Sequence, residues 1–378
     1  MEDDGDVGLI GANRLWVLDR LIGKMTDRLS LQDLFYPSSF VLPWRRWCRE
    51  ADLIQLYNTH GGYFSYTMLP RLSRRRPVVW RLSDMWPMTG HCAYSFDCER
   101  WKTGCGSCPI LSDYPALRRD RTALLWRVKQ RIYQRSFLTL VAPSRWIAHW
   151  AQQSPLLGRF PVHVIPNGLD AEVFRPIPKS SAREVLGLAA NRRVVLFGAH
   201  FASERRKGGQ LLIEALEHFA ERAEVDLELL IMGRESHVGS FPGRFTLKRL
   251  GQIRDDQLLA TVYSAADVFV LPTLADNMPN GVLESMACGT PVVSFRVGGV
   301  PEAVRHMETG YLARSMDAGD LAQGLRLLLE NPDLRTAMGR RSREVVEQEY
   351  SLELQAKRLL ELYHEVIERH RTQGRGAS

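Results

Sequence analysis

Three observations predict an α/β fold of two domains built on parallel sheets. The chain has 378 residues, more than one ordinary core accommodates. Short apolar runs alternate with longer stretches of helical periodicity, the pattern of successive βα units. The apolar runs do not alternate with polar residues, as expected where helices cover both faces of a sheet.

The predicted strands of the first half are 53–57 (LIQLY), 77–82 (PVVWRL), 138–142 (LTLVA) and 163–165 (HVI). Those of the second half are 193–197 (RVVLF), 227–232 (LELLIM), 267–271 (DVFVL) and 291–295 (PVVSF). Between them, residues 166–178 hold a Pro-Asn-Gly turn and two further prolines, which reads as a rigid linker. The expected division is a first domain over 1–170, a second over 171–350 and a C-terminal helix in 351–378. That helix carries Leu359, Leu362, Tyr363, Val366 and Ile367 at helical spacing, a face to bury, and is expected to return to the first domain. A doubly wound domain usually opens on a strand leading to a glycine-rich turn. Residues 1–40 read instead as a helix over 14–24 and loops, so the first domain is expected to lack its N-terminal strand.

Hydrophobic residues are 45% and charged residues 25% of the chain, an ordinary globular mixture. No apolar run reaches the ~18 residues of a membrane span. The opening MEDDGDVGLIG is acidic where an export signal is basic, so a cytoplasmic protein is expected. The net charge of +7 is partly local, in Arg71, Arg74, Arg75 and Arg76 and in Arg118, Arg119 and Arg121. A solvated basic surface is the plain reading. No nucleic-acid motif accompanies it, so the partner readings are an anionic membrane face or an anionic ligand rather than a nucleic acid.

The stretch 276–304, DNMPNGVLESMACGTPVVSFRVGGVPEAV, places Asp276 and Glu284 with seven residues between them, around a Pro-Asn break. Asp276 follows a strand, at the end of the sheet where open α/β folds bind ligands. Pro279 and Asn280 read as a helix entry, so the N–H groups of Gly281, Val282 and Leu283 point outward without intrahelical partners. Such groups, with the positive end of the helix dipole, suit a phosphate. Glu284, one turn in, suits a diol such as a ribose. The competing reading is a capped helix with Glu284 on its solvated face.

The stretch resembles the acid-x7-acid motif of retaining glycosyltransferases with the two-domain GT-B fold, the family 4 type. "VIPNGLDAEVFRP" (164–176), "VVLFGAHFASERRKGGQLLIEAL" (194–216), "GQIRDDQLLATVYSAADVFVLPT" (251–273) and "GGVPEAV" (298–304) are similar to further motifs of that family, in the same order. "DMWPMTGHCAYSFDCERWKTGCGSCP" (84–109) resembles a subgroup, colanic-acid-like, that builds bacterial surface polysaccharides. The resemblance spans roughly residues 50–350. It implies two Rossmann-like doubly wound domains facing a cleft, and transfer of a sugar from a nucleotide-diphosphate donor to a hydroxyl of a glycan or lipid-linked acceptor. It implies no catalytic metal, and a location in the cytoplasm or at the inner face of the membrane.

The resemblance also implies residue roles. Glu284 holds the donor's ribose. Asp276 reaches the sugar hydroxyls, at a position where the family more often has glutamate. Gly198, Asn280 and the Gly281, Val282 and Leu283 amides line the donor. Lys207 neutralises the diphosphate as it leaves. An arginine usual after the glycine of the preceding strand is replaced here by Ala199 and His200, with Arg205 or Arg206 as the substitute. The loops around 233–235 and 298–299 are expected to select base and sugar. On the acceptor side the family's histidine before Asp84 is Ser83 here, which leaves Asp84 and His91 as the nearest candidates.

Of six cysteines, Cys48 and Cys288 stand apart and read as small buried hydrophobes. Cys92, Cys98, Cys105 and Cys108, with His91 adjacent, have three readings: a structural zinc site, disulfides or free thiols. Four thiolates would leave a zinc no open position for catalysis, and a cytoplasmic setting disfavours disulfides. Two other functions stay open: an epimerase or phosphorylase on the same architecture, and a non-catalytic or truncated protein that binds a nucleotide sugar.

Overall fold

The computed structural model describes residues 15–198, 204–221, 226–233 and 245–375. The chain divides into two compact units. Unit 1 comprises Met1–Ile165 with Arg358–Ser378, and unit 2 comprises Pro166–Lys357.

Unit 1 holds a four-stranded sheet of β1 (Ile54–Leu56), β2 (Val78–Arg81), β3 (Leu138–Ala142) and β4 (Val162–Val164). All pairs are parallel, in the order β1-β2-β3-β4. One face of the sheet buries Val78, Trp80, Leu138 and Leu140 with Tyr66, Leu69 and Tyr133. The other buries Val79 and Val141 with Leu362 and Val366 of the C-terminal helix Leu352–Arg375. The helical spacing of its apolar residues thus closes the second face of this sheet. The helix Arg145–Gln153 starts where Ser144 Oγ accepts a hydrogen bond from the Ile147 amide, satisfying a donor that the first turn leaves unpaired.

Unit 2 has six parallel strands: β5 (Arg193–Gly198), β6 (Leu227–Met232), β7 (Phe245–Gly251), β8 (Val268–Leu271), β9 (Val292–Phe295) and β10 (Gly310–Ala313). Their order is β10-β9-β8-β5-β6-β7. Two core clusters cover its faces, and alternate residues of one strand divide between them. Val194 and Leu196 join Phe269, Val282 and Met286, while Val195 and Phe197 join Val268, Val270 and Leu325. This is why the strands read as unbroken apolar runs.

The eight predicted strands overlap eight observed ones. Two were not predicted. β7 lies at the sheet edge, partly exposed and carrying Lys248 and Arg249, so its pattern is that of a surface segment. β10 is a four-residue GYLA segment, fully buried but too short for periodicity to register.

Candidate functional site

Strand order in unit 2 reverses between β5 and β8, since β6 and β7 lie on one side of β5 and β8, β9 and β10 on the other. Loops leaving the carboxyl ends of two such strands separate to opposite faces and open a crevice between them. The loop after β5 carries Arg206 and Lys207, and the loop after β8 carries Asp276.

The two loops are fastened together. Leu274 N and Thr273 Oγ1 donate to Arg206 O at 2.8 and 3.1 Å. Gly208 has φ +69°, and a Cβ there would stand 1.8 Å from Pro272 O, so only glycine permits this approach. Across the join, Asp276 Oδ2 accepts hydrogen bonds from Arg206 Nη1 and Lys207 Nζ, both at 3.0 Å. Arg206 also pairs with Glu204 at 2.8 Å. Asp276 Oδ1 accepts from the Asn277 amide at 3.0 Å. The two cations are balanced by the carboxylates of Asp276 and Glu204, and Asp276 holds both cations in place.

The glycine pair of the opening stretch has a structural reason. Gly298 has φ +57°, and a Cβ there would lie 1.9 Å from Asp276 O, while Gly299 N donates to that same oxygen at 3.0 Å. The pair therefore fixes the backbone on which Asp276 stands.

The helix Asn280–Ala287 begins after an extended Pro279, with no side-chain cap at its N-terminus. Its first turn is held from the linker, where Asn167 Nδ2 donates to Met278 O at 3.0 Å and to Asn280 Oδ1 at 2.8 Å. Val282 and Leu283 are buried and Gly281 is partly exposed. The Val282 amide donates to Pro279 O at 3.1 Å, a tight first turn, so it is not the free donor the sequence reading expects. A side chain on Gly281 would press on Tyr263 Oη at 3.0 Å. That hydroxyl donates to Glu284 Oε2 at 2.9 Å. Burial raises the pKa of Glu284, and the Tyr263 hydrogen bond partly offsets this. Among the described residues Oε1 of Glu284 has no hydrogen-bond partner, and the side chain is only partly buried. It is placed to accept from a ligand. Gly198 ends β5, where a Cβ would come within 2.5 Å of Met232 Cε. Ala199, His200, Arg234 and Glu235 lie outside the described residues.

In unit 1, Asp84 is buried. Its Oδ1 accepts from the Trp86 amide at 2.8 Å, and its Oδ2 stands 3.2 Å from His60 Nε2. His91 is turned elsewhere, with Nδ1 2.9 Å from Pro115 O and Nε2 3.3 Å from Cys108 Sγ. Both of its ring nitrogens are engaged, so it offers no free atom to an acceptor. Cys92, Cys98, Cys105 and Cys108 are free thiols. Burial pushes Cys92 up to about 12 and Cys105 up to about 11, and the neighbouring thiols add to both shifts. The four are thus close enough to feel one another. Among the described residues, however, no three His, Cys, Asp or Glu side chains are arranged to hold a metal ion.

Sequence reasoning missed Tyr263, His60 and the holding role of Asn167. Tyr263 lay inside a motif already singled out, and Asn167 in the linker. His60 carries no local signal, because its partner Asp84 is brought to it only by the pairing of β1 with β2.

Residues 192–331 match the model of the family Glycosyl transferases group 1. The matched range lies within unit 2. Its Arg206, Lys207, Asp276 and Glu284 all fall inside the matched range. The chain is 32% identical to a D-inositol 3-phosphate glycosyltransferase of Pseudarthrobacter chlorophenolicus, over 55% of this chain and 51% of that one. It is 27% identical to a putative colanic acid biosynthesis glycosyl transferase, WcaC, of Escherichia coli, over 57% and 51%. The chain spans about half the length of the curated relatives it matches. In structure it resembles sucrose-phosphate synthase from Thermosynechococcus elongatus, with a TM-score of 0.67, 23% identity, and 88% and 78% of the two chains covered. It also resembles Anabaena HepE, solved in complex with UDP-glucose, with a TM-score of 0.62, 20% identity, and 87% and 82% covered. With its two parallel sheets, the chain has the GT-B fold.

Proposed function

We propose that the chain is a retaining glycosyltransferase. It moves a sugar from a nucleotide-diphosphate donor to a hydroxyl of a glycan or lipid-linked acceptor in cell-surface polysaccharide assembly. The observation that carries the reading is the crevice between β5 and β8. There Lys207 and Arg206 converge on Asp276, and Glu284 stands at the start of the adjoining helix. The diphosphate lies against the Gly281 and Leu283 amides and the two cations. As the bond to the sugar breaks, negative charge grows on the diphosphate, and Lys207 stabilises it more in the transition state than in the ground state. Glu284 Oε1 accepts hydrogen bonds from the ribose diol, and Tyr263 fixes its orientation. HepE's complex with UDP-glucose supports a nucleotide-sugar donor. The colanic acid role of WcaC supports a surface polysaccharide, and the D-inositol 3-phosphate glycosyltransferases support an inositol phosphate as the alternative acceptor.

The test is thermal unfolding of the full chain against a panel of nucleotide-diphosphate sugars, in parallel with Glu284→Ala. One donor raising the unfolding temperature, with the rise lost in Glu284→Ala, is the expected result. A folded protein stabilised by no donor sinks the reading.

We also propose that unit 1 rests on an anionic membrane. Trp44, Arg45, Arg46, Trp47 and Arg49 are exposed beside exposed Arg71, Arg74 and Arg75, and the Arg71 guanidinium stacks over Trp44 at 4.1 Å. Aromatic rings at headgroup level and arginines against anionic lipid suit such a face. Among the described residues no helix is long and apolar enough to cross a membrane.

A further inference from the structure

We infer that unit 1 holds a site for one anionic phospholipid, at the amino end of its sheet. The inference rests on the membrane reading and deepens it. A cavity of about 460 Å³ lies there, within the ~300–1,000 Å³ of small-molecule sites. Its apolar wall is Pro43, Trp44, Cys48, Ile54 and Leu72. Its charged lining is three arginines, Arg49, Arg75 and Arg76.

The strands fix its place. Ile54 is the first residue of β1, and Arg75 and Arg76 come just before β2, whose Val78 pairs in register with Ile54. Parallel strands start at the same end, so the cavity opens at the amino end of the sheet. The loop with Asp84 follows β2 and leaves the opposite end, where open α/β sheets bind their substrates. The cavity is thus separate from that loop.

The lining carries three positive charges and no carboxylate. The acids next to it in the chain are committed elsewhere, Glu50 to Arg46 at 2.8 Å and Asp52 to Arg371 at 3.4 Å. Arg75 Nη1 donates to Pro43 O at 3.3 Å, and Arg76 Nη2 donates to Arg49 O. These bonds tie the end of the helix Leu69–Arg75 to the segment 43–49, and each guanidinium keeps further N–H donors. Among the described residues the Arg49 guanidinium has no partner, and it is exposed. Positive charge also reaches the floor of the cavity: burial raises the pKa of Cys48, and Arg76 and Arg75 offset part of the rise.

Cys48 and Leu72 are buried and Ile54 is half-buried, while Trp44 is exposed, so the apolar wall runs from the core to the surface. A purely apolar ligand would leave three charges without a counter-ion. Free phosphate would leave the apolar wall in water. A phosphate ester with a hydrocarbon chain satisfies both, its phosphate on the arginines through charge-assisted hydrogen bonds and its chain against Leu72, Ile54 and Cys48. Exposed Trp44 and Trp47 beside the cavity suit the headgroup level from which such a lipid enters.

The test is calorimetric titration of the full chain with dioctanoyl phosphatidic acid below its micelle concentration, beside dioctanoyl phosphatidylcholine and inorganic phosphate. One phosphatidic acid should bind per chain, at least about tenfold tighter than either comparison compound. Arg49→Ala should weaken it about tenfold, and Cys48→Phe, which fills the cavity, should abolish it. Should Cys48→Phe fail to fold, Arg49→Ala decides alone. Equal binding of phosphate reduces the site to a plain anion site, and equal binding of phosphatidylcholine removes the arginines from recognition. Either overturns the inference, as does a wild type that binds no short-chain lipid. Sedimentation with phosphatidylserine vesicles separates this from the membrane reading. A chain that sediments with vesicles but binds no soluble lipid loses the cavity site and keeps the membrane face; one that does neither loses both. A dimer that Cys48→Phe turns into a monomer would put a second copy at the cavity and overturn the inference too.

Discussion

In unit 2 the strand order reverses between β5 and β8, and loops from those two strands hold Lys207 and Asp276. In unit 1 the order β1-β2-β3-β4 runs one way among the described residues. Its polar residues gather instead beyond the ends of two neighbouring strands, around Asp84, His60 and Lys129. The chemistry of the two sites follows this difference. Unit 2 pairs its charges across the crevice, Asp276 against two cations. Unit 1 buries Lys129 without a carboxylate hydrogen bond, on two carbonyls and an aromatic face, so burial brings its pKa down to about 7. Asp33 nearby is pushed up to about 6, also by burial. The crevice offsets the desolvation of its carboxylate with two cations, whereas the packed loop cluster leaves that cost on Lys129 and Asp33.

The comparison breaks first at Gly298. Alanine there requires φ +57° and a Cβ 1.9 Å from Asp276 O, so Gly298→Ala should destabilise unit 2 by at least about 2 kcal/mol. It should also weaken the donor-induced rise in unfolding temperature. Denaturant unfolding with and without donor measures both, and an unchanged midpoint would mean that the glycine pair does not fix Asp276.

Lys129→Met sharpens the comparison through pH. The folded pKa of Lys129 lies below its unfolded value. Between about 7 and the ordinary lysine range the unfolded chain therefore binds the extra proton, and this residue's contribution to stability rises with pH. Wild type should gain on Lys129→Met by about 1 kcal/mol between pH 7 and 8. Urea midpoints at the two pH values read the difference, and a constant gap would mean that folded Lys129 stays protonated across this range.

The smallest effect is expected at the surface of unit 1. Arg75→Ala should lower partitioning onto phosphatidylserine-containing vesicles about fivefold, since one basic side chain at such a surface contributes about 1 kcal/mol. The loss should shrink as salt rises. Sedimentation showing equal binding to neutral vesicles would remove the membrane from the proposal and leave the donor site untouched.

The sequence by itself determined the parallel sheets and the position of the acid pair. Both depend on local chemistry: unbroken apolar runs such as VVLF and VFVL demand cover on two faces, and Pro279-Asn280 ends an extended segment and starts a helix. β7 escaped because an edge strand with Lys248 and Arg249 resembles a loop, and β10 because four residues carry no period. Only the tertiary structure decided which side chains meet. Lys207 reaches Asp276 because β5 and β8 are neighbours at the reversal of strand order, and Tyr263 reaches Glu284 because two helices pack on one face. His60 reaches Asp84 because β1 pairs with β2. Each of these contacts joins residues far apart in the chain. Spacing along a chain fixes a side chain's face on its own element, but not which other element will lie opposite it.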